Sequence, residues 1–541
     1  MMAGVVEFVP PEKKTITYVD TATPYVLDPV DCWDAYSGLI IEQCAETLFT
    51  YNYSNNGQNM VLIPGLATGY TYDDSGAEVF YDITLRQGVT FHDGEPWNAD
   101  AALFNFARWD YWWNTSMQTP DTVILGYPEY IYHFADGVTP LWNRTVKTGT
   151  YSVRFYMNDP YVAFIDLLTY TSGSMLSPGY FNDNHTIMLT FADDIVGTGP
   201  FNFINYEAAI ETNFVRYDDY WGGQAWAETI KLVYFDASTP MNSAMLAGEY
   251  DFMEGANPDF IPLFEASEVV DFVNFTDDFG DLSLGYGYVG LNTVTIPRNI
   301  REALNFATDH EYLIEEILEG TVQQAKSPVP GAMGGSQPYN DTMDVRRARL
   351  LMQAEMPGTY GAFNVSEDAE WLAEAALGTV NYTCWVYTPS ITYHEYFEEL
   401  RDRFAMIGIY LQDRETYWGT YIALMKSDKN SFDMWPIGWI PDYLNALNML
   451  APLFHPKSTA TFTQYDDAQT TLWLEEAFGE TNQTAFDILV KNIETRVMTV
   501  TFPHIPLDYE EMYYVKNPLL VVPNWNAKEQ YVMKDWYKVE A

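Results

Sequence analysis

Helix and strand signals alternate along two stretches of this chain, and the stretch between them follows a different pattern. Apolar residues recur at helical spacing at 300–307 and 393–407, and strand-like runs at 382–387 and 409–413 interrupt them. The middle of the chain is instead rich in strand signals, at 151–157, 209–217 and 229–235. Such alternation is typical of an α/β protein with two bodies, and the middle stretch indicates a further, strand-rich unit.

The composition is that of a large, well-packed protein with a strongly acidic surface. Apolar residues make up 48% of the 541 residues, which is enough for an extensive core. The net charge of −48 arises from 75 acidic and only 27 basic residues. A body this negative repels nucleic acid and anionic membranes, so we expect neither as a partner. Solubility at an acidic outer surface explains the charge better than salt adaptation, because salt-adapted proteins rarely keep so many large hydrophobic residues.

Two features favour a location outside the cell. Tyr, Asn and Thr replace the Lys that a cytosolic surface would carry, and Asn-x-Ser/Thr sequons begin at nine positions: 52, 114, 143, 184, 274, 340, 364, 381 and 482. No apolar run approaches the roughly 18 residues that span a bilayer, and residues 1–14 lack the apolar core of an export signal. We expect an extracellular or periplasmic, surface-associated protein whose export or anchor segment is absent from this chain.

The cysteines give no sign of a metal or redox site. Cys32, Cys44 and Cys384 form no CxxC pair, and no histidine stands at ligand spacing from them. A Cys32–Cys44 disulfide is one possibility. A free, buried thiol is the commoner state of a cysteine in an apolar helix, and we favour it here.

The familiar catalytic motifs are absent or stand in the wrong context. The run from Gly285 to Gly290 fits GxGxxG, but strand-like residues follow it where a nucleotide-binding loop needs a helix. The chain has no phosphate-binding GxxxxGK[ST] loop, zinc-binding HExxH helix or GxSxG elbow. Carboxylates are so frequent that spacing singles out no glycosidase pair. We therefore predict no cofactor and no enzymatic activity.

A series of short motifs, in a fixed order, covers most of the chain. The best single match is LRQGVTFHDG at 85–94. The others are YVLDP (25–29), AETLF (45–49), NAD (98–100), GTGPF (197–201), DYWG (219–222), AGEYD (247–251) and GWIPDY (438–443). Together they resemble the large solute-binding proteins of family 5, which serve oligopeptide and dipeptide importers. No single motif decides this, but their order and spacing are specific.

The resemblance implies a two-lobed α/β fold of the periplasmic-binding-protein type (type II, large class), with an extra domain inserted in the first lobe. Lobe I would comprise 14–53, 192–288 and 503–541. The extra domain would comprise 54–191, and lobe II 289–502. In this family the two lobes close around the ligand by a hinge motion.

The resemblance also implies a binding site centred on the GWIPDY motif. At the place of Asp442, peptide-binding relatives have an aspartate that pairs with the α-ammonium of the ligand. A buried ammonium needs such a counter-charge. Trp439 would form a wall of the pocket, or belong to the core. The backbones of Gly438 and Ile440 would pair with an extended ligand as an added strand does.

Further candidates come from elsewhere in the chain. The loop from Tyr25 to Leu27 would contact the ligand from lobe I, and Asn292 begins lobe II near the hinge. Dipeptide-selective relatives have an Arg ahead of the helix that matches 393–407, whereas residues 385–393 here contain no Arg or Lys. This difference favours longer peptides, whose far end is not held.

The predicted function is that of a monomeric extracytoplasmic receptor of an ABC importer, which captures oligopeptides and delivers them to a membrane permease. An oligosaccharide receptor of the same family is the first alternative, because 16 Trp and 41 Tyr could stack on sugars. A secreted glycoside hydrolase and a peptide sensor outside transport are further alternatives.

Overall fold

The protein is described by a computed structural model that places most of the chain. The described residues are 14–24, 26–32, 35–54, 59–113, 132–134, 139–181, 194–254, 256–257, 260–274, 284–318, 320, 322–339, 342–387, 391–416, 424–425, 429–458, 460–509, 513–523 and 531–539.

The strands are numbered in chain order. They are β1 Thr15–Asp20, β2 Phe49–Ser54, β3 Asn59–Pro64, β4 Ala67–Asp73, β5 Phe80–Leu85, β6 Trp142–Gly149, β7 Ser152–Met157, β8 Phe201–Glu207, β9 Glu211–Arg216, β10 Thr229–Tyr234, β11 Phe252–Glu254, β12 Asp271–Asn274, β13 Tyr286–Leu291, β14 Gln323–Gln324, β15 Asn381–Tyr387, β16 Tyr410–Thr416, β17 Met434–Trp439, β18 His504–Pro506, β19 Asp508–Tyr509, β20 Tyr513–Lys516, β21 Leu520–Val521 and β22 Tyr537–Lys538.

The longer helices are numbered in the same way. They are α1 Ala35–Cys44, α2 Ala99–Trp113, α3 Ser238–Leu246, α4 Arg298–Ala307, α5 Val345–Glu355, α6 Ala369–Leu377, α7 Ile391–Ala405, α8 Ala446–Phe454, α9 Ala468–Gly479 and α10 Gln483–Arg496. Short helical turns connect several of them, among them Phe164–Leu167 after β7.

Three sheets organise the described chain. The first has the order β12-β20-β11-β1-β10-β9-β8, with β1 parallel to β10 and β11. The second has the order β16-β15-β17-β13-β18, and α4, α5 and α7 pack on it through a common apolar cluster. The third, β4-β5-β7-β6, is antiparallel throughout. The predicted α/β fold with two lobes is thereby confirmed. Of the three strand-rich runs that indicated a further unit, 151–157 lies in the third sheet, whereas 209–217 and 229–235 form β9 and β10 of the first sheet, where β10 pairs with β1.

The sheets also locate the two passages between the lobes. Strands β13 and β18 lie side by side in the second sheet, and Tyr288 is opposite Pro506. Residues 286–288 and 504–506 thus pair within the lobe II sheet, although the ranges predicted from sequence assign them to lobe I. The domain boundaries themselves remain predictions.

A buried carboxylate joins three of the sequence motifs in lobe I. Glu46, just after α1, accepts hydrogen bonds from Thr198 Oγ1 at 2.8 Å, Tyr220 Oη at 2.7 Å and Trp221 Nε1 at 2.7 Å. Burial raises the pKa of Glu46, and the three donors oppose that rise. A Cβ at Gly199 would lie 2.6 Å from the carbonyl carbon of Cys44, so this turn needs glycine for close packing.

The GxGxxG run is a strand, as the sequence indicated. It contributes β13, and its glycines allow close neighbours on both sides. A Cβ at Gly287 would lie 2.7 Å from Asp508 Oδ1, and one at Gly290 would lie 2.5 Å from Trp435 Cε2. These glycines therefore allow β13 to pack closely against the side chains of Trp435 and Asp508.

The cysteines are free and buried in the described structure, so Cys32 and Cys44 form no disulfide there. Among the helices of the described ranges, none combines the length and apolarity needed to cross a bilayer.

We expect Gly290→Ala to destabilise the protein by about 1–3 kcal/mol, because the added methyl group overlaps the buried Trp435 ring. Gly438→Ala is the matched control on the neighbouring strand, since its Cβ would meet nothing closer than 3.9 Å. Urea unfolding of both variants measures the difference. Equal stability of the two variants would contradict this account of β13.

Buried carboxylates make a contribution to the free energy of unfolding that increases at low pH. Burial raises the pKa of Asp20 and of Asp166 to about 6, against opposing hydrogen bonds. A carboxyl with a raised folded-state pKa contributes its stability below its ordinary pKa and loses it as pH rises through 6. Asp467 acts in the opposite sense, because a bond from Arg496 lowers its pKa to about 2.

The contribution of these two carboxyls to the free energy of unfolding should therefore increase as pH falls from 7.5 to 5. Buried His504 opposes it, because burial lowers its pKa to about 3, so the Asp20 contribution is measured as a difference between wild type and variant. Asp20→Asn keeps an acceptor for the Ala22 N–H but removes the buried charge. It should raise the melting temperature at pH 7.5 more than at pH 5. Glu268→Gln, at an exposed position, is the control and should change neither. Calorimetry across this pH range is the measurement.

Candidate ligand site at the end of strand β17

The GWIPDY motif forms the end of β17 and the loop that follows it. Gly438 and Ile440 are exposed, Ile440 to 51%, while Trp439 and Asp442 are partly buried. The structure thus brings these four predicted residues together in one segment at the edge of lobe II.

Asn448, which the sequence analysis did not single out, holds this loop in place. Its Oδ1 accepts from the Asp442 N–H at 2.7 Å, and its Nδ2 donates to Asp442 Oδ2 at 2.9 Å. Its carbonyl also accepts from Trp439 Nε1 at 3.1 Å. Asn448 is 1% exposed within the apolar helix α8. A lone amide in such a helix is the signal that could have identified it, because buried amides need partners.

The Asp442 carboxylate influences the pKa of two nearby tyrosines. Burial raises the pKa of Tyr132 and of Tyr443, and the nearby Asp442 carboxylate adds to both rises. Tyr443 Oη lies 2.7 Å from Tyr161 Oη, across the contact between lobe II and the predicted extra domain. Asp442 therefore lies near aromatic hydroxyls as well as its amide partner.

The register of β17 decides where its backbone groups point. Pro436 is opposite Val289 and has no N–H, so this pair cannot be a hydrogen-bonded one. Because pair types alternate, the Gly287–Gly438 pair is also non-bonded. The Gly287 carbonyl accordingly accepts from Leu507 on its other side. The N–H and C=O of Gly438 thus point away from β13.

Strand β15 lies on the side that Gly438 faces, and within the described residues it pairs with β17 at Cys384 and Met434. The Trp385 side chain stacks on Phe432 at 4.9 Å and donates to the Ser431 carbonyl. The backbone of Gly438 therefore points away from β13 at an exposed position, in the same segment as Asp442.

The wall that lobe I contributes contains Leu27, the first residue of the LDP motif. Asp28 forms a buried ion pair with Arg108 of α2 at 2.5 Å, and its Oδ1 accepts from the Val30 N–H. Leu27 packs on the apolar cluster of lobe I, and Leu444 from the loop of lobe II packs on the same cluster. The two lobes thus meet near this site. Tyr25 lies outside the described residues.

Asn292 lies at the other end of β17. Its N–H donates to the Asp433 carbonyl, and its Nδ2 donates to the carbonyls of Lys429 and Phe432. The side chain is fully buried and holds the start of lobe II. Its contact with the ligand stays a prediction, and its hydrogen bonds indicate a structural role.

Comparison with known proteins agrees with these observations. The sequence profile of the bacterial extracellular solute-binding proteins, family 5 (middle region), matches residues 61–461, which is most of the chain. The chain belongs to this family.

Relatives and solved structures support the assignment. The chain is 24% identical over 409 residues to the dipeptide-binding protein of Escherichia coli K12, covering 73% of this chain and 70% of that protein. It is 24% identical over 504 residues to di/tripeptide-binding protein 1 of Pseudomonas aeruginosa, covering 88% and 86%. Helicobacter pylori DppA in complex with the peptide STSA has the same fold, with a TM-score of 0.78, 20% identity and coverage of 97% and 98%.

The Asp28–Arg108 pair should be essential to the wall that contains Leu27. Arg108→Met leaves the Asp28 carboxylate buried without its counter-charge and should cost about 3–5 kcal/mol. The double variant Asp28→Asn/Arg108→Met removes both charges, keeps an acceptor for Val30, and should recover much of that loss. Denaturant unfolding of the wild type, the single variant and the double variant measures this. A double variant no more stable than the single one would contradict the account.

Proposed function

We propose that this protein is the receptor of an ABC importer and captures oligopeptides between its two lobes. The observation that carries the proposal is the exposed backbone of Gly438, which points away from β13 in the same segment as Asp442. An extended peptide would pair with these backbone groups as an added strand does, while its amino end meets Asp442. Family membership and the peptides named for several relatives support this choice of ligand.

Asp442 would supply the counter-charge for the α-ammonium of the peptide. An ammonium taken out of water between two lobes is costly unless it is paired and hydrogen-bonded. Asn448 already fixes the carboxylate, so little side-chain entropy would be lost on binding. Trp439 would cover the adjacent backbone, and Leu27 would close the site from lobe I.

The far end of the peptide would be left unheld. Residues 385–393 contain no Arg or Lys that could bind a carboxylate at the position found in dipeptide-selective relatives. A Bacillus subtilis relative of the same fold, AppA, was solved with a nonapeptide. We therefore propose peptides longer than two residues as the ligands.

The remaining steps would follow from closure. A ligand that touches both lobes stabilises the closed form, and this form would dock on a membrane permease. The proposed receptor acts as a monomer outside the cytoplasmic membrane and performs no chemistry on its ligand.

Titration calorimetry with a tetrapeptide and its N-acetylated form tests this proposal. The free peptide should bind at least about tenfold more tightly than the acetylated one, because only the free peptide pairs its ammonium with a carboxylate. Asp442→Asn keeps an acceptor for Asn448 and should remove this preference. Glu476→Gln, an exposed control in lobe II, should retain it.

An unchanged preference in Asp442→Asn would remove Asp442 from the site. Binding of oligosaccharides but not peptides, in thermal-shift panels of both, would replace the proposed ligand class with the alternative drawn from the aromatic content.

A further inference from the structure

Lobe II touches the predicted extra domain through the loop that contains Asp442. Tyr161, Phe164 and Phe478 belong, with Tyr443, to one apolar cluster that extends across this contact. The Val162 N–H donates to the Phe478 carbonyl at 2.7 Å, which adds a backbone bond to the contact. The extra domain therefore lies directly against the elements that position the candidate site.

Asp166, on the short helix Phe164–Leu167, is the polar centre of this contact. Its Oδ1 accepts from Tyr51 Oη at 3.1 Å, and its Oδ2 accepts from Asn445 Nδ2 at 3.2 Å. Tyr51 Oη in turn accepts from the Leu444 N–H at 3.2 Å. One carboxylate thus binds the loop of lobe II twice, directly through Asn445 and indirectly through Tyr51.

Asn445 connects the Asp166 carboxylate with the helix that holds the Asp442 loop. Its Oδ1 accepts from the Leu447 N–H and caps α8. The next turn of α8 contains Asn448, which holds Asp442. A continuous chain of hydrogen bonds and one helix start therefore connects Asp166 with Asp442.

We propose that Asp166 is a positioning residue, which fixes the Asp442 loop in its ligand-binding conformation when the lobes close. The extra domain then takes part in ligand capture although it does not touch the ligand. This inference rests on the proposed function, because it assumes that Asp442 binds the ligand.

Proton linkage provides a readout that a purely structural role would not change. The groups that face Asp166 are the hydroxyls of Tyr51, Tyr81 and Tyr161 and the amide of Asn445. Tyrosines are neutral below pH 9, so Asp166 is the group here that titrates between pH 5 and 7. Burial raises the pKa of Asp166 to about 6 where these groups enclose it, and contact with water in an open form would lower it. Closure then takes up a proton, and binding should strengthen as pH falls from 7 to 5.

The experiment compares Asp166→Ala, Asn445→Ser and the double variant by calorimetry with a free-amino tetrapeptide. Asn445→Ser keeps an oxygen that can cap α8 but loses the Nδ2 donor to Asp166. Each single variant should lose about tenfold in affinity, and the double variant should lose little more, because both remove the hydrogen bond between residues 166 and 445. Asp166→Asn should show no pH dependence of affinity between 5 and 7, unlike the wild type. Thr169→Val removes a bond to the Asp166 carbonyl on the same segment and should bind as the wild type does.

Hydrogen exchange without ligand separates this inference from the proposed function. The Leu444 amide, which donates to Tyr51, should exchange faster in Asp166→Ala than in Thr169→Val. If peptides bind equally well to the wild type and Asp166→Ala, the positioning role is refuted and the proposed function stands. If no variant binds peptides, the proposed function fails, and unchanged exchange at Leu444 refutes the positioning role as well.

Discussion

The pairing of β13 with β17 is the constraint on which the geometry of the site depends. Pro436 opposite Val289 fixes which pairs can exchange hydrogen bonds, and Gly290 lets the Trp435 ring lie against the strand. A shift by one residue would turn every side chain to the other face and the Gly438 backbone towards β13. Strand β13 also lies at a passage between the lobes. Its register with β17 therefore determines both the geometry of the site and the position of that passage.

The sequence motifs predicted much of the fold because the segments that resemble the family contact each other in space. Glu46, Thr198, Tyr220 and Trp221 come from three motifs and meet at one carboxylate. Such a group tolerates few changes, since each lost donor leaves a buried charge less satisfied. The order of the motifs therefore predicted the arrangement of lobe I without any knowledge of the contacts.

Other parts of the site could not be predicted in this way. Asp166 and Asn445 are 279 positions apart, and nothing in either local sequence indicates the other. Asn448 appears as an ordinary helix residue until the loop packs against it. Tertiary hydrogen bonds across domains depend on the relative placement of whole sheets, which local periodicity does not contain. The sequence thus predicted the residues of the GWIPDY loop but not the residues that hold it.

The apolar cluster shared by the extra domain and lobe II has a consequence for transport energetics. Separating these surfaces would expose the rings of Tyr161, Tyr443 and Phe478 to water, and hydration of apolar surface is unfavourable. The contact therefore favours the closed form, and a ligand that touches both lobes adds to this preference. Release of the ligand would require free energy, which an ATP-driven transporter in the membrane could supply by separating the two lobes.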